Sequence, residues 1–285
     1  MIGDQGYIPC GMLLVVDVGN SSSTFAVFAE PRLLKEFRLK TRRDWTRQEW
    51  AVAIEAGLAQ LDLSVQKVTQ IAMCSVVAEV GDLIVSGLQE SFGLVTVVID
   101  VALVAKQVRI HYTPMHDVGI DRLVAGVAAL HRYQDRIAEQ SLGGVLVVDL
   151  GTATTFDVLS NSPEYFGGAI APGVGIGASA LVACAPRLPR VAMTAPASVL
   201  GQDTVSSLQS GIVLGYAALV EGMLVRLRKE AQKRIAGELL VVLTGGFAAM
   251  ISEQLEKTQR HVLDDRLLLE GIALLHRRTR TIPVI

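Results

Sequence analysis

Two short turns carry residue types suited to holding phosphate. In "VVDVGNSSSTF", from Val15, an apolar run leads into Asp17, Gly19 and a string of hydroxyl residues. In "VVDLGTATTFD", residues 147–157, the pattern recurs with Asp149, Gly151, Thr152, Thr154 and Thr155. A hairpin turn needs one glycine and an Asn or Asp, not three threonines in four positions. Glycine lets the backbone close on an anion, and amides and hydroxyls supply donors to phosphate oxygens. A carboxylate repels phosphate, so each aspartate is placed for a cation or its water shell. One such turn alone is more often structural. Asp17 and Asp149 stand at equivalent places 132 residues apart, which points to a polyphosphate clamped from both sides.

Three further stretches could carry chemistry. "HDVGIDRLVAG" places Asp121 and Arg122 where a loop becomes a helix. Either the aspartate is favoured by the helix dipole with Arg122 on a solvated face, or Asp121 takes the proton of an attacking hydroxyl while Arg122 holds an anionic group. "VVLTGGFA", residues 241–248, suits a ribose or base passing close to the backbone, although Gly-Gly after a strand is common. The glycine-rich run 167–177 suits a wall against a small ligand or two backbones in close contact. His111, His116, His131, His261 and His276 show no metal or triad spacing and read as structural or solvated.

The elements that position these turns form two similar series. "MLLVVDV" reads as a strand buried on both faces, with "STFAVFA" and "LLKEFRLKT" completing an antiparallel meander. A helix over "TRQEWAVAIEAGLAQL" starts at a capping box of Thr46 and Glu49. "VTQIAMCSV" and "LVTVVI" are strands, "AEVGDLIVSGLQESF" is a helix, and another helix starts at about Ile120. "GGVLVVDL", "TTFDVLS" and "EYFGGAIAP" repeat the meander. A helix after Gly173, a long helix over about Ser206–Lys233, the strand "ELLVVLT" and two more helices follow. The expected organisation is a duplication into domains 12–135 and 144–278, facing each other across a seam near 136–144.

Composition narrows the function classes. The chain has 285 residues, 51% of them hydrophobic, with a mean hydropathy of +0.43. No run reads as a membrane span, and "GIVLGYAALVEGMLV", which contains Glu221, reads as a buried helix. A net charge of −2 gives no general attraction to nucleic acid, and the basic runs read as solvated helix faces. Three scattered cysteines, Cys10, Cys74 and Cys184, fit a reducing cytoplasm better than a disulfide framework or zinc site. The N-terminus has no signal-peptide pattern; residues 1–11 read as a dispensable leader before Met12. Ser207, Gly211, Gly215, Ala218 and Gly222 set small residues along one helical face, flanked by Ile212, Val213, Leu214, Leu219 and Val220. Close packing within one subunit and a two-fold dimer contact would both use such a face.

From Met12 to about Arg277 the chain resembles type III pantothenate kinases, also grouped with Bvg accessory factors in the acetate and sugar kinase and actin superfamily. The resemblance rests on DVGNSSST (17–24), HYTPMHDVGIDR (111–122), DLGTATTFD (149–157), FGGAIAPG (166–173), LGQDTVSSLQSG (200–211) and LTGGFA (243–248), in that order. It implies an α/β fold of duplicated actin-like, ribonuclease H-like domains, each a mixed sheet with flanking helices. It also implies ATP-dependent phosphorylation of pantothenate, the first step toward coenzyme A, by a cytoplasmic homodimer that binds neither nucleic acid nor membrane.

By position, Asp17, Val18, Gly19, Asn20, Ser21, Ser22, Ser23 and Thr24 match the first phosphate loop, with Asp17 on the Mg2+ side. Asp149 matches the ligand of a monovalent cation, K+ or NH4+, and Thr152 an ATP contact. Tyr112, Gly119, Ile120, Asp121 and Arg122 match the pantothenate site, with Asp121 as general base and Arg122 paired to the substrate carboxylate. Thr204 matches a pantothenate contact, and its place just before the long helix allows it to serve either its own chain's site or, in a dimer, the partner's. Ser21 stands where a threonine is usual and keeps the hydroxyl. A superfamily kinase for another small hydroxyl substrate is disfavoured by the GIDR segment and the absence of an inserted sugar-binding subdomain. A non-catalytic regulator is disfavoured because every expected site residue is present.

Overall fold

The computed structural model describes residues 11–281, so the leader reading and Cys10 lie outside the described residues. In the first unit the apolar run forms β1 (Met12–Val18), antiparallel to β2 (Ser22–Ala29), which pairs with β3 (Arg32–Lys40). Helix α1 (Arg47–Gln60) leads to β4 (Val68–Ser75), parallel to β1; α2 (Ala78–Phe92), β5 (Thr96–Val98) and the short α3 (Val101–Ala105) follow. The sheet order is β3-β2-β1-β4-β5. The capping box at the start of α1 is present as expected: Thr46 accepts from the Glu49 amide, and the Thr46 amide donates to Glu49 Oε2 at 2.7 Å. One sheet face, with Leu14, Val16, Val18, Phe25, Ile71 and Met73, packs on Trp50, Ile54, Leu58, Ile84 and Leu88. Alternation along β1 and β4 therefore turns Asp17 and Cys74 to the opposite face.

The second unit contains β6 (Arg109–Ile110), most of α4 (Ile120–Arg132), α5 (Gln134–Glu139), β7 (Gly144–Leu150), β8 (Ala153–Ser160) and β9 (Glu164–Pro172). Helix α6 (Val174–Cys184) follows; α7 (Thr204–Gln209) runs through one wide turn at Ser210–Leu214 into α8 (Gly215–Ala231). Strand β10 (Leu239–Thr244), α9 (Ala248–Ser252), β11 (Val262–Leu263) and α10 (Leu267–Thr281) complete the chain. The sheet order is β11-β10-β7-β8-β9-β6. Read from β9 to β11 it repeats the first sheet, with β6 added at the edge beside β9. Even the alternation of burial is the same in β1 and β7, with only the aspartate half-exposed.

Packing divides the chain differently from the linear ranges 12–135 and 144–278. The first unit takes residues up to Lys106, Val118–Val124 and the chain from Leu268; the second takes Gln107–Asp117 and Ala125–Leu267. The short elements α3, α5, β6 and β11 escape a periodicity reading because two to six residues hold less than two helical turns or one strand alternation.

The long helix corrects one expectation. Its most apolar window, within 204–231, has a mean hydropathy of 1.5, so by length and composition alone the helix could cross a membrane. The expected buried helix is only partly buried, with 22% of its most apolar window fully buried. Ala217, Val220 and Leu224 enter the sheet-side core, with Tyr216, Met223, Leu227 and Ala231 packed at its edge, because one stripe suffices to cover it. Gly211, Gly215 and Gly222 have no neighbour where a side chain would project, so the small-residue face is not packed within this subunit.

His276 on α10 is 3% exposed, and its Nδ1 has no hydrogen-bond partner. Burial and the nearby Arg280 and Arg277 hold its pKa below the ordinary 6.5. The folded protein therefore binds fewer protons here than the unfolded chain as pH falls below about 6.5, and folding weakens in that window. Urea unfolding at pH 8.0, 6.5 and 5.5 is expected to show a larger loss for wild type than for His276→Met, which removes the titration.

Candidate active site

The first loop is braced from behind. The Gly19 amide donates to Ser22 O (3.1 Å), and the Thr41 amide donates to Ser21 O (3.1 Å). The Thr41 hydroxyl donates to Gly19 O (2.7 Å), which spends its single proton, so the buried Ser23 hydroxyl at 3.0 Å donates to Thr41. Thr24 is buried and accepts from Arg38 Nε at 3.3 Å. Asn20 and Ser21 are exposed, while Asp17, Gly19 and Ser22 are half-buried. Val18 is fully buried in the core, so what it offers a ligand is its backbone. Thr41 carried no signal in the sequence, because β3 alone brings its end back to the loop.

In the first unit Asp17 and Asp121 both lie close enough to Cys74 to act on its thiol. Asp17 and Cys74 are register partners on β1 and β4. Burial pushes the Cys74 thiol well above its ordinary value, and the Asp17 and Asp121 carboxylates push it further, so it remains a neutral thiol. Asp121 is the second residue of α4 and does not occupy the capping position: its Oδ1 accepts from the adjacent Arg122 amide at 2.8 Å. Burial raises its pKa above the ordinary carboxylate value, against the opposing pull of the Arg122 amide and guanidinium. Gly119 makes room for it, since a Cβ there would lie 2.6 Å from Asp121 Oδ1. Ile120 and Arg122 are buried, so the expected solvated face for Arg122 is not what the fold provides.

In the second unit the loop after β7 repeats the first, with the Gly151 amide donating to Ala153 O at 3.0 Å. Thr152 is exposed and Asp149 half-buried. Asp149 faces away from the core that Leu146, Val148 and Leu150 enter. Gly245 presses against it with φ +93°, and a Cβ there would come within 2.3 Å of Asp149 Oδ1. A Cβ on Gly173 would lie 2.2 Å from Thr152 O and 2.5 Å from Gly151 O. Glycine at these two places lets the chain close against the Asp149 carboxylate and against the Gly151 and Thr152 carbonyl oxygens, and oxygen donors of this kind suit a hard cation. Among the described residues no three His, Cys, Asp or Glu side chains gather into a metal cage. A divalent ion held by one carboxylate and substrate phosphates needs no such cage.

Tyr112 lies beside Gly167, 3.7 Å from where a Cβ would project, and near the ring of Tyr165. Thr204 is exposed at the start of α7, where Asp203 and Ser206 form a capping box. With Leu188, Gly201, Asp203 and Ser207 it lines an open hollow of about 500 Å3.

The comparisons with known proteins decide the family. The sequence model of the type III pantothenate kinase family matches residues 13–226. The chain belongs to the type III pantothenate kinase family. A type III pantothenate kinase from Desulfatibacillum aliphaticivorans is 36% identical over 268 residues, covering 94% of this chain and 98% of its own. Among solved structures, the ethanolamine utilization protein EutJ of Carboxydothermus hydrogenoformans aligns with a TM-score of 0.55 at 16% identity, covering 95% of this chain and 92% of its own. Component A of the Acidaminococcus fermentans (R)-2-hydroxyglutaryl-CoA dehydratase aligns with a TM-score of 0.52 at 12% identity, covering 94% and 99%. These likenesses show the fold alone, an actin-like α/β fold with mixed sheets and flanking helices. A member of this family is a phosphotransferase that uses ATP to phosphorylate pantothenate in coenzyme A biosynthesis.

Proposed function

We propose that this chain carries out the pantothenate kinase reaction with Asp121 as general base, and the observation that supports this is its burial at the start of α4, where it and Asp17 both act on the Cys74 thiol. A carboxylate raised by burial, yet oriented by an adjacent amide, is suited to take a proton from a primary hydroxyl. Arg122 serves the substrate carboxylate, and Tyr112, Gly119 and Ile120 are each assigned to pantothenate. The amides and hydroxyls of Asp17–Thr24 are assigned to ATP phosphates, and Thr152 is assigned to ATP. Little covalent work is asked of the protein: phosphoryl transfer depends on positioning and charge neutralisation. Asp17 would hold Mg2+ with the phosphates, and Asp149 with the neighbouring carbonyl oxygens would hold K+ or NH4+; both ions would offset phosphate charge. Release of ADP measured with and without pantothenate tests the reading, and pantothenate-independent release at the same rate would overturn it.

The same reading makes the enzyme a cytoplasmic homodimer that binds neither nucleic acid nor membrane. Supporting the dimer, Gly211, Gly215 and Ala218 lie open on the long helix, with Leu219 and Val225 exposed beside them. Thr204 then contacts pantothenate in the partner's site. Mixing Asp121→Asn with Thr204→Arg separates the arrangements. If each site draws these residues from different chains, half the dimers are mixed and each of those has one intact site. Random exchange of equal amounts should therefore restore about a quarter of wild-type sites. No recovery despite demonstrated exchange would place both residues in one chain's site.

A further inference from the structure

Tyr216 stands apart from every residue discussed so far, because it joins the long helix to the strand that leaves the second loop and to the end of β9 beside it. Its hydroxyl lies 2.7 Å from Pro172 O and 2.6 Å from Thr154 Oγ1. A carbonyl only accepts, so the tyrosine donates its one proton to Pro172 and the Thr154 hydroxyl donates to the tyrosine. Burial pushes the phenol pKa up from its ordinary 10.0, so the hydroxyl keeps that proton. Thr154 is fully buried and lies on the face of β8 that carries Phe156 and Val158, toward α8. Both anchors flank the loop directly: Thr154 follows Thr152 by two residues, and Pro172 precedes Gly173, whose amide donates to Thr152 O at 3.1 Å.

The helix is shaped to make this reach. Its buried apolar positions step by five from Leu208 to Val213, across the wide turn at Ser210–Leu214, then by four, three and four to Ala217, Val220 and Leu224. One extra residue in a turn rotates everything after it by about 100°. Such single wide turns inside helices are frequent at functional sites. Tyr216 begins two residues after this one.

We infer that Tyr216 is a positioning residue for ATP: by tethering Thr154 and Pro172 it holds the Gly151–Ala153 turn in the shape that receives phosphate. The inference rests on the reading of that turn as a phosphate loop. Tyr216→Phe keeps the ring and its packing and removes only the two bonds. Steady-state kinetics are expected to show KM for ATP raised about five- to tenfold, on the scale of one or two lost hydrogen bonds, with KM for pantothenate unchanged. Thr154→Val should raise KM for ATP, Thr154→Ser should restore it, and Tyr216→Phe with Thr154→Val should be no worse than Tyr216→Phe alone, as members of one network behave. A merely structural tyrosine would lower the thermal midpoint and the active fraction and leave the two KM values in their original ratio. Thr152→Val is the control for the loop itself. If Thr152→Val raises KM for ATP and Tyr216→Phe does not, or if the double variant is additive, the tether is overturned and the loop stands. If Thr152→Val leaves KM for ATP unchanged, the loop reading and the tether fall together.

Discussion

Asp121→Asn is expected to lower kcat by roughly 10²–10⁴-fold, the range associated with a positioned general base. The substitution keeps the size of the side chain and an oxygen that can still accept from the Arg122 amide, so the start of α4 should hold. It also removes a buried carboxylate that is costly to ionise, so the thermal midpoint should stay level or rise slightly. ATP binding, measured by fluorescence or calorimetry, should be unchanged. If Asp121 were instead a helix-stabilising residue, the variant would lose about 0.5–2 kcal/mol of stability and keep its turnover. The two outcomes differ in both observables. Full turnover in the variant would remove Asp121 from the mechanism.

Activity is expected to be low in Tris or Na+ buffers and to rise at least tenfold on adding K+ or NH4+, if Asp149 holds a monovalent ion beside the phosphates. An unneutralised carboxylate near phosphate oxygens opposes ATP binding, with a Coulomb cost that grows as water is excluded. Asp149→Asn should therefore abolish the response to K+ and leave a low, cation-independent rate. Gly245→Ala probes the same place from another element. Its added Cβ would collide with Asp149 Oδ1 and with the Leu150 backbone, at a residue whose φ of +93° already disfavours a side chain. That variant should lose most activity through a displaced carboxylate. Equal rates of the wild type in Na+ and K+ would withdraw the cation role from Asp149.

Much of this site was legible because its signals are local. Asp-x-Gly followed by hydroxyl residues after an apolar strand is one turn of chain, and its repetition at Asp17 and Asp149 is visible without any coordinates. The repeat extends to the sheet, where β9-β8-β7-β10-β11 follows β3-β2-β1-β4-β5. Alternating burial also made the strands readable, and the Thr46–Glu49 capping box sits where its spacing put it. The long helix was readable as a helix but not as an open one. Hydropathy registers how apolar a residue is, and says nothing of whether its own chain covers it.

What the sequence by itself determined is therefore the set of turns, the duplication and the residue types available at each turn. The tertiary structure alone decided the rest. Thr41 meets Gly19 and Ser23 because β3 returns alongside β2, and Cys74 meets Asp17 because β4 pairs in parallel with β1. Gly245 reaches Asp149 because β10 lies beside β7, some 95 residues later in the chain. Tyr216 reaches Thr154 because one wide turn resets the helix register. Each of these contacts joins residues far apart in sequence through strand register or helix rotation. Those quantities are set by how whole elements pack, so no local pattern of residue types encodes them.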